Sequence, residues 1–223
     1  IERRSDGIFV LESADESFLA RAVIIATGSV PRKLHIAGEE EYTGRGVSWC
    51  ATCDAAFYRE KIVAVVGGGD SAIEEANYLT KFARKVYIIH RRDSLRATAV
   101  IQQRAFDNPK IEFLLSYVPT EILGNGSKVT GLKLESTKAE GERVIELDGV
   151  FEFVGVDPIN EIAQGLTPLT DSGYIETSQN GTTKIPGLFS AGDVTNTTLK
   201  QVVTAAGKGA SAAFAALHYL ENE

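Results

Sequence analysis

The chain has 223 residues, 43% hydrophobic and 24% charged, with a formal net charge of -7, 21 glycines, two cysteines, three histidines and no methionine. That length allows one or two ordinary domains with a sizeable core, and the near-average composition excludes disorder, a collagen-like fibre and a disulfide scaffold. No apolar run approaches the roughly 20 residues of a membrane-spanning helix, Ile1-Glu2-Arg3-Arg4 does not open a signal peptide, and the mild acidity argues against non-specific nucleic-acid binding. A cytoplasmic location is the expectation. The absent methionine points to a removed start or to an internal piece of a longer protein.

In chain order, Gly7 to Glu12 alternates as a strand, Asp15-Glu16 turns, and a second strand covers Phe18 to Ala22. Val23-Ile24-Ile25-Ala26 is a continuous apolar run ended by Thr27-Gly28, which predicts a strand buried on both faces. Pro31 breaks the chain, and the polar, glycine-punctuated stretch from Gly38 to Gly46 suits a domain crossing. Ile62 to Val66 is a β-branched strand, Gly67-Gly68-Gly69 a tight turn, and Asp70 to Phe82 a helix with Ala72, Ala76, Leu79 and Ala83 at helical spacing. Val86 to Ile89 is the next buried strand, completing a βαβ unit, with His90-Arg91-Arg92 just past its end. Alternation runs from Ile111 to Val118, and an antiparallel meander follows, punctuated by Asn125-Gly126 and Glu140-Gly141. Gly149 to Val154 is another buried strand, and Gly155 to Pro158 reads as a second crossing. An alanine-rich helix from about Thr198 to Leu220 closes the chain.

Gly67-Gly68-Gly69-Asp70-Ser71-Ala72 fits G-x-G-x-x-A between a strand and a helix. The free N–H groups and partial positive charge of that helix start suit a pyrophosphate, and small Ala72 lets helix and strand lie close. Past the second strand an NAD site places an acid for the ribose 2′-hydroxyl, whereas this chain places Arg91 and Arg92, with Arg96 a turn later. Guanidinium groups match a 2′-phosphate, so NADPH is the expected nucleotide; a solvated basic stretch, or a nucleic-acid patch with Arg84 and Lys85, is the alternative.

Cys50-Ala51-Thr52-Cys53-Asp54 holds both thiols. The spacing allows a reversible disulfide, with Asp54 placed to give a proton to a leaving thiolate. Half a zinc site is the competitor; it would need ligands from His35, His90 and His218, none in a paired spacing. Buried, inert thiols are the third possibility. Trp49 reads as packing.

Together, Gly44-Arg45-Gly46-Val47-Ser48-x-Cys50-Ala51-Thr52-Cys53-Asp54, the glycine turn, His90-Arg91-Arg92-Asp93-x-x-Arg96-Ala97, the Ala26-Thr27-Gly28 strand end and Gly187 to Val194 resemble the low-molecular-weight, bacterial-type thioredoxin reductases. The resemblance implies a two-domain, Rossmann-like α/β fold that binds FAD and NADPH, three-layered, with a parallel sheet and a β-meander. It implies an FAD-domain remnant over 1–31, an NADPH-binding domain carrying the CxxC over 32–155, and a further FAD-domain segment over 156–223. It implies NADPH reducing a flavin, the flavin reducing the disulfide, and the dithiol reducing thioredoxin, in a protein that is a homodimer at full length. By position, Cys53 would face the flavin, Cys50 would attack the partner, and Asp54 would donate the proton.

The resemblance further places Thr27, Gly28, Gly192 and Asp193 at the FAD, with Asp193 at the ribityl chain and the helix start near Gln201 and Val202 by the flavin pyrimidine. Gly67, Gly69, Asp70, Ser71 and Glu74 would lie along the nicotinamide nucleotide. Domain rotation would hinge near Gly38 and Gly155. The chain departs from the family at Lys200-Gln201, where arginine-glutamine is usual, and at Gly155 to Asn160. It also lacks a G-x-G-x-x-G unit ahead of the CxxC, so the FAD domain is expected to be incomplete. The flavoprotein subunit of an alkyl hydroperoxide reductase, or an inactive nucleotide-binding fragment, stands as the alternative.

Overall fold

The structure, a computed structural model, describes residues 1–138 and 141–222. The chain divides into two compact units, Ile1–Val30 with Val156–Glu223, and Pro31–Gly155.

The first unit opens with an antiparallel sheet of β1 (Glu2–Arg3), β2 (Phe9–Glu12) and β3 (Ser17–Ala20). β4 (Val23–Ile25) and β5 (Ser29–Pro31) follow. The expectation that β4 is covered on both faces is wrong. Val23 and Ile25 are buried with Phe9, Leu188 and Val194, but Ile24 is 40% exposed. Only one face of the strand meets a core, so the period-two rule applies to an unbroken apolar run.

The second unit is built on a parallel sheet. Its strands are β6 (Val47–Ser48), β7 (Ile62–Val66), β8 (Lys85–His90), β9 (Ile111–Leu115) and, at the end of the unit, Gly149–Glu152. Helix α1 (Ala51–Asp54) follows β6, α2 (Asp70–Leu79) joins β7 to β8, and α3 (Ala99–Phe106) joins β8 to β9. Next come the antiparallel β10 (Tyr117–Gly124), β11 (Val129–Ser136) and β12 (Glu142–Glu146), and then β13, the Gly149–Glu152 strand. The parallel order is β6-β13-β7-β8-β9. Side-chain alternation makes three layers: Val63, Val65, Val86, Ile88 and Phe151 pack toward the helices. Ala64, Val66, Ile89, Leu114 and Val150 pack toward Leu132, Leu134 and Ile145 of the meander.

Several boundaries differ from the sequence expectations. α2 stops at Leu79 rather than Phe82, because the Lys110 ammonium donates to the carbonyls of Thr80 (2.8 Å) and Ala83 (3.0 Å) and satisfies a frayed carboxyl end. The Ile111–Val118 run is two strands, broken at Ser116, which adopts φ 61° and donates its N–H to Arg92 O. α3 was not expected; Ala105 is its only buried residue and Val100 is exposed, so its apolar stripe is too thin to read. The Gly38–Gly46 stretch is no crossing but lies inside this unit, where a Cβ on Gly38 would fall 2.2 Å from Ile122 O. Glu140, expected to help turn the meander, lies outside the described residues.

Back in the first unit, β14 (Val156–Pro158) pairs with β5, and β15 (Leu188–Ser190) runs parallel to β4. α4 (Val202–Asn222) buries Ala212 and Ala216 against Phe189 and Ala191. It begins after the expected Thr198, with the Gln201 N–H donating to Thr204 Oγ1. Among the described residues no helix is long and apolar enough to cross a membrane.

Candidate active site

Parallel strands end together on one edge of the sheet, and here that edge carries, side by side, the turn into Cys50 after β6, Glu152 ending β13, the glycine turn after β7 and His90 ending β8. Ligands of open α/β sheets bind beyond such carboxyl ends.

The glycine turn is tightly built. Gly67 has φ +154° and donates to Ile89 O at 3.0 Å, and a Cβ there would lie 2.6 Å from Phe153 O and 2.7 Å from Ala72 Cβ. Gly68 lies flat on the His90 ring, where a Cβ would come within 2.4 Å. Gly69 is the N-cap of α2, has no side-chain cap, and faces open space. The helix therefore presents uncapped amides to whatever sits above the turn. Asp70, expected along the nicotinamide nucleotide, has its Oδ1 accepting the Thr98 N–H at 2.6 Å, which pins the loop that carries Arg96. Ser71 and Glu74 are exposed on the first turns of α2.

A cleft of about 450 Å³ lies over this edge, with Gly67, Gly68, His90, Arg91, Arg96 and Phe153 among its walls. Arg91 and Arg96 both line it, and the Arg96 N–H is anchored on Gly68 O at 2.7 Å. Arg92 is exposed beside the cleft rather than in its wall. From sequence His90 stood only in the motif past the second strand and as a possible ligand of half a zinc site. It is buried, its Nε2 has no partner among the described residues, and burial, followed by the charges of Arg96, Arg92 and Arg91, lowers its pKa.

Cys50 and Cys53 form a disulfide, with Cα atoms 5.3 Å apart. Cys50 is the N-cap of α1, its Sγ accepting the Cys53 N–H at 3.2 Å. Cys53 is exposed and Cys50 half-buried. Asp54 closes the short helix, and its Oδ2 accepts a 2.7 Å hydrogen bond from Ser48 Oγ, which in turn accepts the Cys50 N–H at 3.1 Å. Ser48 thus ties the acid to the disulfide, a link that the sequence reading missed. Tyr58 packs edge-on against Phe151 at 5.1 Å, and burial, aided by Asp54 and Asp148, pushes its hydroxyl up to about 12. Its hydroxyl keeps its proton near neutrality. Trp49 does more than pack: its indole N–H donates to Glu152 Oε2 at 3.0 Å.

In the first unit, Thr27 Oγ1 donates to Ile159 O and Gly28 O accepts the Ile159 N–H at 3.0 Å, so this strand end clasps the segment after β14. Gly192 has φ +77° with only Ala205 Cβ near, at 3.8 Å. Asp193 Oδ1 is buried with no partner among the described residues. Lys200 donates to Asp193 O at 2.9 Å and lies over the Tyr174 ring at 4.1 Å; burial lowers its pKa, opposed by Asp193. Gln201 is half-buried, whereas Val202 is 88% exposed at the start of α4.

Residues 2–209 match the family of pyridine nucleotide-disulphide oxidoreductases. The chain belongs to that family. It is similar to a thioredoxin reductase of Listeria monocytogenes, with 49% identity over 94% of this chain and 66% of the relative. It is also similar to one of Bacillus subtilis, with 46% identity over 95% of this chain and 67% of the relative. Among solved structures, the thioredoxin reductase of Streptococcus pyogenes superposes with a TM-score of 0.92 at 45% identity, over 97% of this chain and 71% of that one. The chain therefore spans just under two thirds of the length of the Listeria relative.

Proposed function

We propose that this chain carries the NADPH site and the exchangeable disulfide of an FAD-containing thioredoxin reductase whose whole form is a cytoplasmic homodimer. In this reading residues 32–155 bind NADPH, and 1–31 with 156–223 belong to the FAD domain. The observation that carries the reading is the single sheet edge on which the disulfide, the uncapped helix start and two cleft arginines stand together.

Both cofactors fit the residues present. The uncapped amides of α2 and open Gly69 suit a pyrophosphate, Arg91 and Arg96 with Arg92 nearby suit a 2′-phosphate, and Ser71 and Glu74 would meet the nicotinamide nucleotide. The orphaned Asp193 Oδ1 beside roomy Gly192 suits a ribityl hydroxyl, flanked by Thr27 and Gly28. The amino end of α4, at Gln201 and Val202, favours negative charge, with Lys200 adding to it. FAD, when bound, supplies a two-electron relay between nicotinamide and disulfide.

Two electrons and two protons convert the Cys50–Cys53 disulfide to the dithiol. Asp54 takes the proton of the Cys50 thiol, and the Cys50 thiolate attacks one sulfur of the partner disulfide, forming a mixed disulfide and releasing a partner thiolate, to which Asp54 passes that proton. Attack by Cys53 on Cys50 closes the disulfide again, and the proton that the Cys53 thiol loses goes to the departing sulfur, which frees the partner as its dithiol. Ser48 holds Asp54 against the exchange centre throughout.

The test is a trapping experiment with the reduced chain and oxidised thioredoxin. Cys53→Ser should accumulate a covalent one-to-one adduct detected by mass, and Cys50→Ser should not. No adduct from either variant would overturn the exchange role; an adduct from Cys50→Ser alone would reverse the two sulfurs.

A further inference from the structure

Two buried carboxyl groups of the second unit take no part in the exchange just described. Glu39, 1% exposed, accepts the backbone N–H groups of Leu34 (3.1 Å), His35 (2.6 Å) and Ile36 (3.3 Å). Glu152, 2% exposed, accepts the Trp49 indole N–H through Oε2, while its Oε1 has no donor among the described residues. The two carboxyl groups lie within hydrogen-bonding reach of each other.

We propose that Glu152 is a positioning residue for the Cys50–Cys53 turn, held as a neutral acid that shares its proton with Glu39 and, through Trp49, fixes the residue leading into Cys50. Three backbone dipoles converge on Glu39, so the negative charge of the pair resides there. The proton resides on Glu152, where the otherwise orphaned Oε1 gains a hydroxyl that donates to Glu39. Burial first, and then the charge of Glu39 and its hydrogen bond, push the Glu152 carboxyl up to about 8; the Trp49 N–H and Lys33 act in the opposite sense. Lys33 is itself engaged by Glu40 at 3.2 Å. Glu39, Trp49 and Lys33 are thus the groups that face Glu152.

The chain of contacts has a direct mechanical meaning. Glu39 organises the 34–36 backbone, Glu152 ends β13, and Trp49 stands between β6 and Cys50. Losing the shared proton places two carboxylates together in a buried site; repulsion pushes Glu152 away from Glu39, and the Trp49 N–H, now donating to an anion, is repositioned with it. The sign for stability follows: the folded chain binds the proton more tightly than the unfolded one, so this contribution is full below about 4.5 and lost as pH rises through about 8.

Trp49 is the only tryptophan, which makes its emission a specific probe. Emission of the intact oxidised chain, followed from about pH 6 to about pH 9, below the tyrosine range, should show one step with a midpoint about 8. Glu152→Gln keeps an acceptor for Trp49 and a donor for Glu39 without titrating, and should abolish the step. Glu39→Gln removes the repelling charge and should lower the midpoint by about one unit or more. The ratio of wild-type to Glu152→Gln rates of disulfide reduction by a small dithiol should be flat below the midpoint and change above it. A wild-type emission without a step, a step that survives in Glu152→Gln, an unmoved midpoint in Glu39→Gln, or a rate ratio flat across the range would each overturn the proposal. The naming of the positioned disulfide as the exchange centre rests on the function proposed above, but failure of thioredoxin trapping would leave the emission step untouched, so the two can fail separately.

Discussion

The turn at Gly67 and the segment from Gly192 to Val202 use the same parts in different ways. Each joins a glycine and an aspartate to the approach of a helix start, yet only the first is self-sufficient. At the Gly67 turn the glycine is enclosed by Phe153 and Ala72, and Asp70 is satisfied by the Thr98 N–H. At the Gly192 segment the glycine is roomy and Asp193 keeps a buried oxygen without a partner among the described residues. An unsatisfied buried acceptor costs about 1–3 kcal/mol. The first turn therefore holds its own shape and offers backbone amides to a ligand, whereas the second retains a side-chain acceptor that a ligand must complete.

Substitution of the glycines breaks the comparison most forcefully. Gly67→Ala should destabilise the chain by about 3 kcal/mol, combining left-handed backbone strain with steric conflict, read as a lower denaturant midpoint. Gly192→Ala meets the strain alone and should cost about 1 kcal/mol. Equal losses would remove the distinction between an enclosed and an open turn.

At the nucleotide cleft, Arg91→Ala with Arg96→Ala should weaken NADPH binding about 100-fold while leaving NADH binding nearly unchanged, as measured by calorimetric titration. Arg92→Ala should do less than either, since its side chain stands outside the cleft wall. A smaller contrast separates the aspartates. Asp70→Ala should cost about 1 kcal/mol through loss of the Thr98 contact, and Asp193→Asn should cost less than about 0.5 kcal/mol in flavin-free protein.

The smallest expected effect is on pH dependence. His90 is held neutral by burial and by three arginines, so the unfolded chain binds its proton more readily. Stability should therefore fall as pH drops below the ordinary histidine value of 6.5, and His90→Gln should flatten that part of the profile in a thermal-unfolding series.

What the sequence revealed was local. The strand-turn-helix around Gly67, the arginines past β8 and the paired cysteines each lie within a few residues, and period-two alternation located the sheet. What it hid was long-range or thinly patterned. The Trp49–Glu152 bond joins residues 103 positions apart, and no periodicity reports it. Arg92 falls outside the cleft wall because its backbone carbonyl serves Ser116 at a strand break that alternation cannot show. Asp70 and Asp193 are the same residue type after a glycine, and what tells their tasks apart is the Thr98 amide on the one and, among the described residues, the unpartnered Oδ1 of the other.

The central claim is that the edge beyond β7 and β8 holds a nucleotide bearing a 2′-phosphate beside an exchangeable disulfide. It is tested most directly by calorimetric titration of the intact chain with NADPH and with NADH, before and after replacement of Arg91 and Arg96 by alanine. The account predicts tighter binding of NADPH in the parent chain and a preference that vanishes in the double variant. Equal affinities in the parent chain, or a preference that survives the double substitution, would contradict it.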